Sequence, residues 1–218
     1  FEALGTNMTT ALVTFDSDRA GIVITTAGAD QDQSILAPHL DTNQSSWTGV
    51  KWGTENSVIW ECAVSTNAID NQKWWAGLKL TNDQLIATDA NQAFFKFQTD
   101  ATNSEAFTDF TLLHFVHSIG GTDYISALPI TIAANTVYRL KIEIDSDRKA
   151  SIFVDGIQYN VTSTAGSTGG TAVTSGTTKS AALTDDVDFI PYIGIEAGAA
   201  AAEALDVHYQ AMSRDLFE

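Results

Sequence analysis

Three carboxylates stand two residues apart at Glu143, Asp145 and Asp147, in the run EIDSD. Acids at alternate positions of a strand share one face. Paired carboxylates on one face are also the arrangement by which glycosidic bonds are cleaved, one acting as nucleophile or base and the other as acid. Two features of this sequence count against that chemistry. Asp147 falls within Ser146-Asp147-Arg148-Lys149, where Asp is a routine turn former. The basic neighbours Arg148 and Lys149 favour ionised carboxylates, whereas an acid catalyst needs a raised pKa. The three acids therefore read as a solvated strand face running into a turn, and no residue is assigned a catalytic role.

The other reactive side chains form no clearer set. His114 and His117 are three apart, so on a strand they face opposite sides and cannot chelate one metal, and His39 and His208 lie far away in sequence. The one cysteine, Cys62, alternates with Val58, Trp60 and Val64, the pattern of a buried structural thiol. Asp30-Gln31-Asp32 and Asp185-Asp186-Val187-Asp188 offer the oxygen ligands that calcium takes but not the spacing of a calcium loop, and read as acidic turns. No nucleophile elbow, phosphate-binding loop or dinucleotide fingerprint occurs, so neither metal nor cofactor is expected. Trp47 and Trp52, in the polar stretch 39–55, are the candidates for stacking a glycan. Trp60, Trp74 and Trp75 read as core.

Composition narrows the classes further. The 218 residues carry 27 acidic and 11 basic side chains, a formal charge of −16, with no cluster of Lys and Arg for phosphates. Nucleic acid is therefore not an expected partner. No apolar run approaches the roughly 20 residues of a membrane span, and no membrane association is expected. An acidic surface suits the outside of an assembly, or a salty medium that screens its repulsion.

The elements that must position these residues are strands. In Val137 to Tyr159, Tyr138, Leu140, Ile142 and Ile144 alternate with Arg139, Lys141, Glu143 and Asp145, and Ala150, Ile152 and Val154 resume the pattern after the 146–149 turn. Asp155-Gly156 supplies a tight hairpin turn, and Ile157 and Tyr159 follow, which predicts a three-strand antiparallel meander. Shorter strands are predicted over 11–15, 21–26, 32–38, 57–64, 74–81, 93–98, 112–119, 124–128, 188–196 and 205–212. About a dozen strands spaced 8–12 residues apart indicate an all-β sandwich forming a single domain over 1–218. The alanine-rich 197–204 is expected to be a loop or one turn. Residues 163–184 (STAGSTGGTAVTSGTTKSAALT) are poor in large apolar side chains and are expected to form a long hairpin insertion or exposed arm, mobile unless a partner orders it.

The phrase VYRLKIEIDSDRKASIFVDG resembles the matching region of laminin-G-like and concanavalin A-like lectin and glucanase jelly rolls. That resemblance implies an antiparallel jelly-roll β-sandwich. A second likeness, carried by TTAGADQDQSILAPHLDTNQSSW, GVKWGTEN, WAGLKLTN, QAFFKF, SIGGTD and SRDLFE, is to structural proteins of marine tailed bacteriophages. It implies a non-enzymatic virion component, a capsid decoration or cement protein on the outer capsid surface, whose partners are the major capsid protein and copies of itself. The alternative is a glycan-binding, lectin-like module of a head or tail fibre that meets host-surface glycans. A β-glucanase-like hydrolase stands third.

Overall fold

The computed structural model describes residues 2–16, 21–37, 52–80, 88–99, 107, 110–166 and 169–215. Its strands are β1 (Glu2–Leu4), β2 (Val13–Asp16), β3 (Gly21–Thr25), β4 (Gln33–Ala37), β5 (Ile59–Thr66), β6 (Gln72–Lys79), β7 (Gln92–Gln98) and β8 (Leu112–Ile119), followed by β9 (Thr122–Thr131), β10 (Tyr138–Ile144), β11 (Ala150–Val154), β12 (Ile157–Tyr159), β13 (Thr171–Ala172), β14 (Ile190–Ala197) and β15 (Ala204–Ser213). A single 3-10 turn, Thr10–Leu12, leads into β2, so the strand predicted from Ala11 begins later. The meander β10-β11-β12 forms as its alternation requires, with Asp155 and Gly156 both at positive φ in its second turn.

The strands pair into two sheets. One has seven strands, ordered β12-β11-β10-β5-β15-β3-β2 and antiparallel throughout. The other has eight, ordered β1-β4-β14-β6-β7-β8-β9-β13, antiparallel except where the two-residue β13 runs parallel to β9. Between them lies the main core, in which Trp60, Leu140, Ile142 and Ile152 from the smaller sheet meet Trp74, Phe95, Phe97 and Phe115 from the larger. This is a jelly-roll β-sandwich.

Two prolines sit inside strands without breaking them. Pro129 is exposed and falls in the irregular stretch of β9 where the register to β8 shifts, so no ladder bond is lost there. Pro191 is paired to Leu78 of β6, and β4 takes up pairing with β14 only from Ile193, which leaves its other side free of a ladder.

The 163–184 stretch departs from expectation. Rather than an arm that waits for a partner, it is a strap that this chain itself orders across one open side of the sandwich. Ala165 bridges Tyr124, Thr171 and Ala172 pair with Ser126 and Ala127 of β9, and Ser175 bridges Tyr159 of β12. Farther on, the Ser180 N–H donates to the Ala150 carbonyl (3.0 Å), the Ala150 N–H donates to Ser180 Oγ (2.8 Å), and the Leu183 N–H donates to the Arg148 carbonyl (2.8 Å). The strap compensates for its lack of apolar surface with backbone hydrogen bonds to both sheets.

The larger sheet is buried on both faces. Every residue of β6, β7 and β14 is buried, and a second apolar cluster of Ile35, Trp75, Phe94, Phe107, Val116, Ile125 and Tyr192 covers its outer side. That second buried face collects polar groups which alternation alone assigns to solvent.

Candidate functional site

Four rows of side chains cross the outer face of the larger sheet, each set by cross-strand register. One row runs Tyr192, Gly77, Phe94, Val116, Ile125, and beside it lies Gly194, Trp75, Lys96, His114, Ala127. Flanking these are Glu196, Lys73, Gln98 on one side and Ile190, Lys79, Gln92, Ser118, Asp123 on the other. The two glycines let large rings lie flat on the sheet. Trp75 and Tyr192 stack with centroids 5.8 Å apart and planes 18° apart, and a Cβ at Gly194 would lie 2.6 Å from Trp75 Nε1.

Charges on this face are held by specific partners. Lys73 Nζ lies 2.7 Å from Glu196 Oε1, and Gln33 Nε2 donates to Glu196 Oε2 at 2.8 Å. Lys79 Nζ lies 3.6 Å from Asp89 Oδ2, and 5.2 and 5.3 Å from the ring centroids of Phe94 and Tyr192. Gln92 Nε2 donates to Ser118 Oγ (2.8 Å), which donates to Asp123 Oδ1 (2.5 Å). Burial raises the Asp123 pKa, and the Ser118 hydrogen bond opposes that rise.

At the centre, Phe107 lies flat on His114, centroids 4.2 Å apart and planes 6° apart, with Lys96 Nζ 5.3 Å from the Phe107 centroid. Burial, and then repulsion from the ammonium groups of Lys73 and Lys79, holds Lys96 well below the usual lysine range, against the pull of Glu196. The face thus offers cations, an amide, an imidazole and flat rings in a dry setting. That combination suits a ligand that is itself both flat-faced and anionic.

The residues singled out from the sequence are not gathered here, His114 excepted. Glu143 points to the outer side of the smaller sheet, where its Oε1 lies 2.5 Å from Lys141 Nζ. Asp145 shapes the turn: its Oδ1 accepts the N–H groups of Asp147 and Lys149, both at 2.9 Å, and its Oδ2 accepts from Lys179 Nζ at 2.7 Å. Burial pushes the Asp145 pKa up, but these bonds, led by the one from Lys179, bring it below the usual carboxylate value. A cavity of about 400 Å³ adjoins this turn, lined in part by Ser57, Glu143, Asp145, Ser151, Lys179 and Asp215. Its carboxylates come from three places: Glu143 on β10, Asp145 at the turn that follows, and Asp215 just beyond β15.

Trp52 is half-buried and packs against the main core, its carbonyl accepting the Phe189 N–H at 3.1 Å, while Trp47 lies outside the described residues. Cys62 is buried, which raises its thiol pKa, with Glu61 adding to the shift. Asp32 accepts from Asn7 Nδ2 (2.6 Å) and the Ala29 N–H (2.7 Å), a turn arrangement. Among the described residues no group of three or more His, Cys, Asp or Glu is placed to hold a metal ion. His117 sits on the core-facing side of β8, stacked on Tyr124 (4.8 Å, 12°), and burial lowers its pKa to about 4.

The fold is the jelly-roll β-sandwich, which solved structures of other proteins share. Its members among solved structures include a family 7 alginate lyase in complex with its product (TM-score 0.53, 14% identity, covering 95% of this chain and 85% of that one). A Bacillus licheniformis β-glucanase matches with a TM-score of 0.53 at 10% identity, over 97% of this chain and 87% of the glucanase. A Pseudomonas aeruginosa alginate lyase also gives 0.53, at 10% identity, over 96% and 88% of the two chains. No protein-family profile and no curated protein matches. These likenesses correct the expectation that the chain is not an enzyme, because its fold is one on which lyases and a glucanase are built. At such identities the likeness concerns the fold, and no site residue is transferred.

Proposed function

We propose that this chain is a carbohydrate-active jelly roll that takes an acidic polysaccharide on the outer face of its larger sheet. One observation carries the reading: in a chain of charge −16, Lys73 and Lys96 lie in adjacent rows with Gln98, His114 and four aromatic rings on one dry face. A uronate carboxylate entering there would meet ammonium groups in a low dielectric, where their attraction is far stronger than in water. It would also raise the Lys96 pKa by pairing with it. The flat Phe107 ring, with His114 beneath it and Lys96 near it, occupies the place a pyranose ring would take, so a ligand must displace it. Chemistry on a uronate needs its carboxylate neutralised and a base near the adjacent carbon. Gln98 and the Lys96 ammonium serve the first need, and His114 the second.

The test is retention by alginate, pectate and a neutral β-glucan in affinity electrophoresis, with ultraviolet absorbance of unsaturated ends reporting elimination. Acidic glycans should retard the protein, the neutral one should not, and Lys96→Met should remove the difference. Equal mobility in every gel sinks the proposal.

The virion setting is a second reading, supported by the resemblance of phrases such as WAGLKLTN and SRDLFE to marine phage structural proteins and by the acidic composition. In that setting the domain sits on the outer capsid surface or a fibre, binding the major capsid protein and copies of itself, and its ligand is a host-surface glycan. Mass spectrometry of purified particles tests this, and absence of the chain from them ends it.

A further inference from the structure

Lys79 and Asp89 are both fully buried, with Nζ 3.6 Å from Oδ2. Phe94 and Tyr192 place their ring centroids 5.2 and 5.3 Å from the Lys79 ammonium. Contrast the other buried lysine–acid pair on this face. Lys73 and Glu196 meet at 2.7 Å and Gln33 supports the carboxylate, which is the geometry of a settled, charge-assisted ion pair. The Lys79–Asp89 separation is longer than a charge-assisted hydrogen bond.

Both partners are held in place. Lys79 ends β6, paired on either side to Ile190 and Gln92. The chain after Asp89 is fixed by the Gly121 N–H donating to the Ala90 carbonyl (2.8 Å) and the Gly120 N–H donating to Asn91 Oδ1 (3.1 Å). We infer that Lys79 and Asp89 condense into an intramolecular amide that staples the end of β6 to the chain entering β7.

The chemistry balances without a co-reactant. Proton transfer within the pair turns ammonium and carboxylate into amine and carboxylic acid. Lys79 Nζ then attacks Asp89 Cγ, the C–N bond forms, one C–O bond breaks, and the oxygen leaves as water carrying the carboxyl proton and one amine proton. In water this reaction runs the other way, largely because the separated ions are so well hydrated. Burial takes that hydration from both ions, whereas the amide carries no charge and releases a water. Holding the groups near contact distance removes most of the entropic cost of bringing them together.

The inference does not rest on the glycan reading, and neither does its test. Intact mass of the unfolded protein should fall below the sequence mass by one water. Trypsin should then fail after Lys79, so that the segment from Trp74 to Lys96 is recovered uncut and one water light. Lys79→Met and Asp89→Ala should each restore the full mass. A wild-type protein of full sequence mass overturns the inference. So does a deficit that maps elsewhere, or one that survives either substitution. If neither variant folds, the wild-type peptide map decides alone.

Discussion

Acidification should weaken this protein through His117 before it touches the carboxylates. His117 is 1% exposed, stacked on Tyr124, and its pKa falls from the ordinary 6.5 to about 4 because burial disfavours the imidazolium. A histidine whose folded-state pKa is depressed contributes stability that is fully present above its unfolded value. That stability drains away as pH drops toward the folded value, because the unfolded chain takes up the proton first. The gap between 6.5 and about 4 corresponds to about 3 kcal/mol, lost between roughly pH 6.5 and pH 4. Set against a typical domain stability of about 5–15 kcal/mol, this is a large fraction. Asp123 and Glu203, whose pKa values burial raises, work in the opposite sense over the lower part of that window. Comparison with His117→Phe, which keeps a flat ring beside Tyr124, cancels them. Urea unfolding followed by tryptophan fluorescence from about pH 7.5 to about pH 4 gives both curves. The wild type should lose about 3 kcal/mol more than the variant across the window. Parallel curves would refute the argument, since a histidine that keeps its proton equally well in both states is not held in a dry site.

Three further outcomes follow from the same geometry. Gly77→Ala would place a Cβ 2.6 Å from the Ala93 carbonyl oxygen at φ +157°, so it should cost about 2–3 kcal/mol and lower the thermal midpoint measured by circular dichroism. Phe107→Ala removes a stacking partner of His114 and a ring near Lys96, contacts worth about 2 kcal/mol together. It should therefore tighten retention by an acidic polysaccharide more than about tenfold while weakening the fold, and unchanged affinity in a folded variant would remove Phe107 from the site. Ser180→Ala leaves the Ala150 N–H without the hydroxyl it donates to, at a cost of about 1–3 kcal/mol, and amide hydrogen exchange at Ala150 should accelerate.

The smaller sheet was legible because its outer face is wet. Leu140, Ile142 and Ile144 alternate with Arg139, Lys141 and Glu143, and Asp155-Gly156 declares the turn, so period and punctuation agree. The larger sheet obeys a different rule. Lys73, Lys79, Lys96, Gln98 and Glu196 alternate with apolar residues just as a solvated face would, yet all are buried. What covers them comes from distant parts of the chain, Phe107 and Leu4 among them, and no local pattern announces it. The adjacent pairs Trp74-Trp75 and Phe94-Phe95 were the available signal, because consecutive large rings on a strand imply that both faces are dry. The strap was hidden for a related reason: its order comes from the free backbone groups of two sheet edges, which exist only once the sheets are assembled.

The placement of the last two strands has a consequence for how the molecule is made. β14 lies between β4 and β6, and β15 lies between β3 and β5, so the final fifth of the chain supplies an interior strand to each sheet. Until those residues leave the ribosome, β1 and β4 cannot join the rest of one sheet, nor β2 and β3 the rest of the other. Synthesis from the N-terminus therefore yields two half-sheets with unpaired edges and no way to close. Folding must wait until β15 has emerged and then complete both layers through contacts of very long sequence separation, which are slow to form. A nascent or C-terminally shortened chain should be soluble only with help from a chaperone, whatever the stability of the finished sandwich.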